Sequence, residues 1–546
     1  MLTHKVMRLL LVLAVAFTGF IPQTAGAAEP EPEPVPQVAA AGPATIQNYP
    51  MPSIYTPSAV YSLKVNNEAV PVVKYLPDYD YAEFSFEGTI SLEVTADKPI
   101  TSYSISPLAK NITGTVNGNK LTFTLSASTY VIVDINAPAN EDPNEKDPDK
   151  RRKRLVIAAD PLETDIPASS GPGIYNVTAA PYNADKTGAT ITSGAIQQAI
   201  DAANQAGGGT VYIPAGVYKS SNLTLKSNVT FYLAGGAVIV GTGRGEDYRN
   251  DFRKDSISDG TYFIRTATNS VNITMRGRGT IDGKGIEMRK RKMTNPPATH
   301  KQGEGFINNL VVPMATSNFK FDGLTLRDGG FWAFLVVRSD NVTITNYKGY
   351  QDLFTLEDDA IDINESQNVL VKHALAISDD DTFSTKTWPQ KGMSKDWPGA
   401  IEHLENVVFE DCFAWTRCAA FKLGMGICTP QIGVTIRNSY VYQSARALLV
   451  DHAYTENPLP VEGWAQDVTF ENIDIERVGI NQFGNYWLRV STSTSGDVSN
   501  VILRNINVRD TGGDSPIQGN PTRGGMVNGV TFCRRSGQRK AGEESQ

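Results

Sequence analysis

The chain has 546 residues, more than one small hydrophobic core requires, so two folded units are the starting expectation. Its formal net charge of -8 lacks the basic excess of a nucleic-acid stripe, and beyond the N-terminus no stretch reaches about 18 consecutive apolar residues, the length of a membrane helix. Four cysteines are too few for a disulfide scaffold.

At the N-terminus, Lys5 and Arg8 precede the apolar run "LLLVLAVAFTGF" and the small residues Ala25 to Ala27. That order predicts a signal peptide over 1–27 and a secreted, extracellular product. Residues 28–48, with "EPEPEPVPQVAAAGPA", are too poor in apolar surface to order themselves and read as a linker. From 49 to 138, alternating runs such as "YSLKVNN", "AEFSFEG" and "ISLEVTAD" are broken by Gly, Asn and Pro turns and predict a small β-sandwich. A charged, Pro-containing segment over 139–154 reads as an inter-domain hinge.

The remainder, 155–532, repeats. A helix is expected at "SGAIQQAIDAANQAGGG", with Ile196, Ala199, Ile200 and Ala203 on one face, capping the start of the core. After it, Asn or Asp followed by an alternating strand recurs at Asn228, Asn272, Asn318, Asn341, Asn368 and Asn406, and in variant form at Gly433, Asp467 and Asn500. The intervals are 44, 46, 23, 27, 38, 27, 34 and 33 residues, read as a unit of 22 to 27 with insertions in which the first two intervals are double steps. So short a period, rich in β-branched residues, predicts a right-handed parallel β-helix. Stacked Asn amides would bond from turn to turn at its corners. The fold class is therefore all-β, a single-stranded solenoid preceded by a sandwich; the tail, 533–546, reads as disordered.

Cys412, Cys418 and Cys428 lie close together and Cys533 apart; buried thiols or one bridge fit an exported chain better than a metal site. No metal and no cofactor are expected. Neither a nucleic-acid nor a membrane partner is expected, and the chain is expected to be a monomer.

The carboxylates of "LEDDAIDI" and "SDDDTFSTK" carry the chemistry. Asp359 and Asp380 are 21 residues apart, read as one turn, which would set Asp359 beside Asp380 and Asp381 on one face. Stacked carboxylates repel, and folding alone gives no reason to build them. Glycoside hydrolysis does, because it needs an acid for the leaving oxygen and a carboxylate for water or sugar. Asp358, Asp362 and Asp379 read as corner residues. Trp332 aligns with Asp359 one turn earlier and could stack on a sugar; the insertion after Thr387, with Trp388 and Trp397, is expected to wall a cleft.

"EDDAIDI" and "DDDTFSTK" resemble the "NTDGIDI" and "GDDCIAIK" phrases of glycoside hydrolase family 28, the polygalacturonases, which share a clan with the family 49 dextranases. The entry segment from Tyr182 to Gly241 is also similar to the family's first turns. The resemblance implies an Asp triad: Asp380 as general acid, Asp359 and Asp381 holding and deprotonating the attacking water, with inversion at the anomeric carbon. Adjacent strands about 4.8 Å apart sit nearer the separation of retaining pairs than of inverting ones. The family's "GHG" turn falls on "CAAFKLG", with Ala419 at the His position, and its "RIK" motif on "ALLVDHAY", where Asp451 and His452 stand instead. Lys386, Lys422, Asp451, His452 and Trp332 are the expected substrate contacts. A pectin-type substrate is implied, with a dextranase-like neutral α-glucan hydrolase as the alternative. From other classes, a polysaccharide lyase and a non-catalytic glycan-binding β-helix remain.

Overall fold

The computed structural model describes residues 44–138, 141–142, 144–254, 258–388, 392–453, 463–479 and 484–533. The expected signal peptide, most of the first linker and the tail beyond Cys533 lie outside the described residues.

The small unit is a sandwich of a six-stranded and a five-stranded sheet. Its strands follow the two-residue period: in Tyr61–Val65, Tyr61, Leu63 and Val65 point inward while Ser62 and Lys64 are exposed. Phe84, Leu92, Phe123 and Val133 meet in one core between the sheets. The six-stranded sheet also takes in Thr45–Asn48, read as linker, and Arg154–Pro161, read as the start of the solenoid. The latter lies parallel to Tyr79–Glu87 with Leu155 opposite Asp80, because "RLVIAA" is apolar on both faces and suits a central strand.

The solenoid is built on a 17-stranded and an 11-stranded sheet, parallel except where Phe252–Lys254 runs antiparallel to Ser258–Thr266. Every interval read from the Asn positions is a true register: Ser317 pairs with Asp340, Asp340 with Gln367, Gln367 with Glu405 and Gln466 with Ser499, each one residue before its corner. The 44- and 46-residue intervals are not double steps. Val229–Leu233 pairs directly with Ser270–Gly277, and that strand with Thr316–Asp322, so each is one turn carrying a long insertion.

The corners explain the Asn. Asn228, Asn272, Asn318, Asn341, Asn368 and Asn406 all have φ between 54° and 62°, the left-handed region that costs Asn little, and Gly433 takes the same corner at φ 68°. Their amides bond along the stack: Asn272 Nδ2 donates to Asn228 Oδ1 at 2.9 Å, Asn318 to Asn272 at 3.1 Å and Asn406 to Asn368 at 2.7 Å. A second ladder runs along the next bend, where Asn472 donates to Asn438 and Asn505 to Asn472. The expected helix, Ser193–Gln205, buries Ile196, Ala199, Ile200 and Ala203 against Val211, Leu223 and Val229 and closes the core's open end.

The sandwich is clamped to the solenoid. Tyr79, Tyr81 and Tyr130 pack on Tyr350, Phe413, Trp415 and Tyr442. Lys348, buried in the solenoid, reaches Asp160 of the sandwich at 2.5 Å. The charged segment read as a hinge is itself tied down: Arg151 pairs with Asp78 at 2.7 Å, Lys153 with Asp80 at 2.7 Å and Arg154 with Glu141 at 2.8 Å. A hinge needs solvated charges, and these are paired within the fold, Arg151 and Lys153 with the buried Asp78 and Asp80.

At the far edge of this interface Glu476 accepts from Ser106 Oγ at 2.6 Å and from the Leu108 N–H at 2.7 Å. Burial pushes its carboxyl up to about 7 despite those donors. A carboxyl raised in the folded state holds its proton where the unfolded chain has lost it, so stability falls as pH rises from the ordinary Glu value to about 7, on the order of 3 kcal/mol in all. Glu476→Gln should remove most of that slope. Thermal unfolding at pH 4.5 and pH 8 should give the variant its larger advantage over wild type at pH 8; equal differences at both would refute the assignment.

Candidate active site

The site lies where the chain enters consecutive strands of the 11-stranded sheet. Phe334–Val337, Ile361–Asn364, Phe383–Thr387, Ala419–Ile427 and Arg446–His452 stack in that order. Ile361 pairs with Phe383, a step of 22 residues, so the partner of Asp359 is Asp381 and not Asp380. The Ala360 N–H donates to the Asp381 carbonyl at 2.9 Å, which extends the ladder into the acidic segment. Phe334 pairs with Ile361, which puts Trp332 in line with Asp359 as expected.

These residues surround a cavity of about 420 Å³. Asp359, Asp380 and Asp381 line it with Lys386 and Lys422; the earlier turns add Lys254, Trp332 and Glu357, the later ones Arg446, Asp451 and Arg489. Trp388, at the start of the insertion, also lines it, while Trp397 is buried among Met393, Trp332 and Phe252. Trp332 is only 1% exposed, so it offers an edge of the floor rather than an open stacking face.

The two lysines are engaged by the protein's own carboxylates rather than left for an acidic sugar. Lys386 Nζ lies 2.5 Å from Asp359 Oδ2 and 2.5 Å from Asp362 Oδ1, 3.8 Å from Asp381, and 3.9 Å from the centre of the Trp332 ring. Lys422 Nζ is 2.6 Å from Asp381 Oδ2. Asp362, read as a corner residue, is thus a buried partner of Lys386. Asp358 is also more than a corner: its Oδ1 accepts the N–H groups of Asp379 and Asp380 at 2.8 and 3.2 Å and holds the acidic segment in place.

The environments separate the carboxyls. Burial, reinforced by Asp381, raises Asp380 above the ordinary value, and burial with Asp362 raises Asp359 well above it. Burial also works against ionised Asp381, but Lys422, Lys386 and Arg446 outweigh it and hold that carboxyl below the ordinary value. Asp359 Oδ1 and Asp381 Oδ1 are buried and accept no hydrogen bond among the described residues.

His452 is not a cavity residue. It is 1% exposed, and its Nε2–H donates to the Gly463 carbonyl at 2.9 Å. Asp451 does line the cavity, accepting from Ser491 Oγ at 2.9 Å with Arg489 Nη2 at 3.6 Å. The turn that carries Ala419 at the position of the family's His presents Cys418 to the cavity, while Ala419 packs on Leu449 and Tyr486. Cys412, Cys418 and Cys533 form no disulfide. The sequence reading missed Lys254, Arg446 and Arg489; no local motif marks them, and only the stacking of distant turns brings them in.

The model of the glycosyl hydrolases family 28 matches residues 205–393, a stretch that includes Trp332, Asp359, Asp380, Asp381 and Lys386. The exo-poly-alpha-D-galacturonosidase of Dickeya chrysanthemi is 22% identical over 456 residues, 67% of this chain and 72% of the relative. The chain is a polygalacturonase-like glycoside hydrolase. A second relative of this hydrolase, the endo-polygalacturonase of Pectobacterium carotovorum subsp. carotovorum, is 25% identical over 334 residues, 54% of this chain and 80% of the relative. Among solved structures, Dex49A from Penicillium minioluteum superposes with a TM-score of 0.51 at 12% identity, covering 88% of this chain and 96% of its own, a likeness of fold.

Lys386 is the cation on which two buried carboxylates depend, and removing one partner of a buried pair typically costs about 3–5 kcal/mol. Lys386→Met should lower the urea midpoint by a corresponding amount with an unchanged m-value. A midpoint within error of wild type would show that Asp359 and Asp362 need no counter-charge.

Proposed function

We propose that the hydrolase is secreted and cleaves a pectin-type polysaccharide with inversion, using Asp380 as general acid and Asp359 and Asp381 to hold the attacking water. The observation that carries this is the opposed protonation of adjacent residues: Asp380 is pushed towards the protonated form by burial, while Asp381 is kept ionised by Lys422 and Lys386. A pair of carboxyls driven apart by their surroundings is the arrangement that acid and base roles require. Asp380 gives its proton to the glycosidic oxygen as the anomeric C–O bond breaks. Water, held by the unpartnered Oδ1 atoms of Asp359 and Asp381, bonds to the anomeric carbon and loses its proton to Asp381.

Charge does not exclude an acidic substrate. The five acidic side chains lining the cavity are matched by five basic ones, so the carboxylates by themselves do not exclude a uronate. Asp451, which alone would repel one, has Arg489 beside it, and Lys254 is 3.6 Å from Glu357. Guanidinium and ammonium groups are the ordinary partners of a sugar carboxylate.

Reducing-sugar release should be measured on polygalacturonate, rhamnogalacturonan, dextran and pullulan, with proton NMR following the anomer first formed. Release from polygalacturonate or rhamnogalacturonan as the inverted anomer is expected; release from dextran alone would move the hydrolase to the neutral-glucan reading. An unsaturated, ultraviolet-absorbing product would make it a lyase, and no turnover on any polymer would sink the proposal. Asp380→Asn should lower release roughly 10³-fold without altering the melting temperature.

The pH profile should be a bell. Activity is lost on the acid side as Asp381 protonates, below the ordinary carboxylate range, and on the alkaline side as Asp380 ionises, above it. Lys422→Met removes the main attraction holding Asp381 ionised, so its acid limb should move to higher pH; an unmoved acid limb would remove Asp381 from the base role.

A further inference from the structure

Cys418 sits at the cavity wall, 3% exposed, just before the strand Ala419–Ile427. Its Sγ and one carboxylate oxygen from each of Asp380 and Asp381 lie within 4.8 Å of one another. Arg446, one turn later, donates Nη2–H to the sulfur at 2.6 Å. The backbone is locked as well: the Thr416 hydroxyl accepts the Cys418 N–H at 2.8 Å and donates to the Asp380 carbonyl at 2.5 Å. A single hydroxyl therefore ties the cysteine to the residue read as the acid.

We propose that Cys418 is a positioning residue for Asp380, its thiol bridging Arg446 and the Asp380 carboxyl so as to support the charge left there when the proton goes to the glycosidic oxygen. The inference rests on the reading of Asp380 as general acid. Burial, with Asp380 and Asp381 adding to it, pushes the Cys418 thiol well above its ordinary value, so the sulfur keeps its single hydrogen. Arg446 donates to a sulfur lone pair, which leaves the S–H to be given to the Asp380 carboxyl, one oxygen of which lies within 4.8 Å of Sγ.

In the bond-breaking step the electron pair of the C–O bond leaves with the oxygen that takes the Asp380 proton. The charge on Asp380 is then met by two donors, the Cys418 S–H and the Asp381 N–H, the latter 3.0 Å from Asp380 Oδ1. No proton leaves the sulfur. The other charges facing Asp380 divide: Asp381 and Glu357 favour its protonated form and Lys422 its ionised form. Within the segment, Asp379 is paired with Arg417 at 2.9 Å, and Asp358 of the preceding turn holds the backbone. The thiol is thus a neutral donor among charges that partly cancel.

The test is the pH dependence of kcat and KM for Cys418→Ala and Cys418→Ser on the polymer identified by the screen, with thermal melts alongside. Cys418→Ala should lower plateau kcat roughly tenfold, the factor of one hydrogen bond to a charged group, leave KM in place and move the alkaline limb to higher pH. Cys418→Ser, which keeps a donor, should restore both. An alkaline limb that stays put, or a serine variant that behaves like alanine, would overturn the inference. Should alanine unfold the turn, Cys418→Val is a larger variant without a donor and carries the same expectation. If Asp380→Asn retains activity the acid assignment fails; if it is inactive while Cys418→Ala leaves the alkaline limb unmoved, only the role of Cys418 fails.

Discussion

The ammonium of Lys386 is the group around which the site is organised. Four carboxylates, Asp359, Asp362, Asp380 and Asp381, come together at the ends of two adjacent strands, and three of them are buried. Burying one ionised carboxylate without a partner costs several kcal/mol, and a cluster would unfold the turn. Lys386 meets two of them and approaches a third, Lys422 meets Asp381, and Arg446 adds to the field on Asp381. The cations do not neutralise the cluster evenly. They favour ionised Asp381 over ionised Asp380, and that unevenness pushes two chemically identical side chains in opposite directions.

Such unevenness requires a rigid frame. Parallel strands hold backbone positions one spacing apart, and the Asn corners repeat the left-handed bend at each turn, so a side chain on one turn faces the same direction as its counterpart on the next. The sandwich reinforces this frame from the side, through tyrosine packing and the buried Lys348–Asp160 pair. Arg417 links the two regions. It bonds Asp379 beside the acidic cluster and the Leu353 carbonyl at the edge of the sandwich interface, with its guanidinium 4.0 Å from the centre of the Phe354 ring.

Much of the frame was legible because it is local and periodic. The capping helix was read from four apolar residues on one face, and the turn lengths from the spacing of Asn, since only residues that tolerate positive φ recur at a solenoid's corners. The departures from the reading have two causes, register and pairing across turns. The acidic step was counted as 21 residues from the clusters themselves, whereas the pairing of Ile361 with Phe383 makes it 22 and shifts every partner by one. Lys386 and Lys422 read as substrate contacts because a cation on a strand beside acidic residues is indistinguishable in sequence from one already paired. His452 reads the same way, although its Nε2–H is given to the Gly463 carbonyl.

By itself the sequence determined the repeat and the all-β class and singled out three candidate carboxylates, because periodicity, β-branching and paired acidic phrases are properties of neighbouring residues. Which of those carboxylates stays protonated was decided only by the tertiary structure. That depends on Lys422, Cys418 and Arg446, which come from later turns and reach Asp380 and Asp381 only when the strands stack. A pKa is set by what lies within a few ångströms in space, and along this chain those neighbours are tens of residues away.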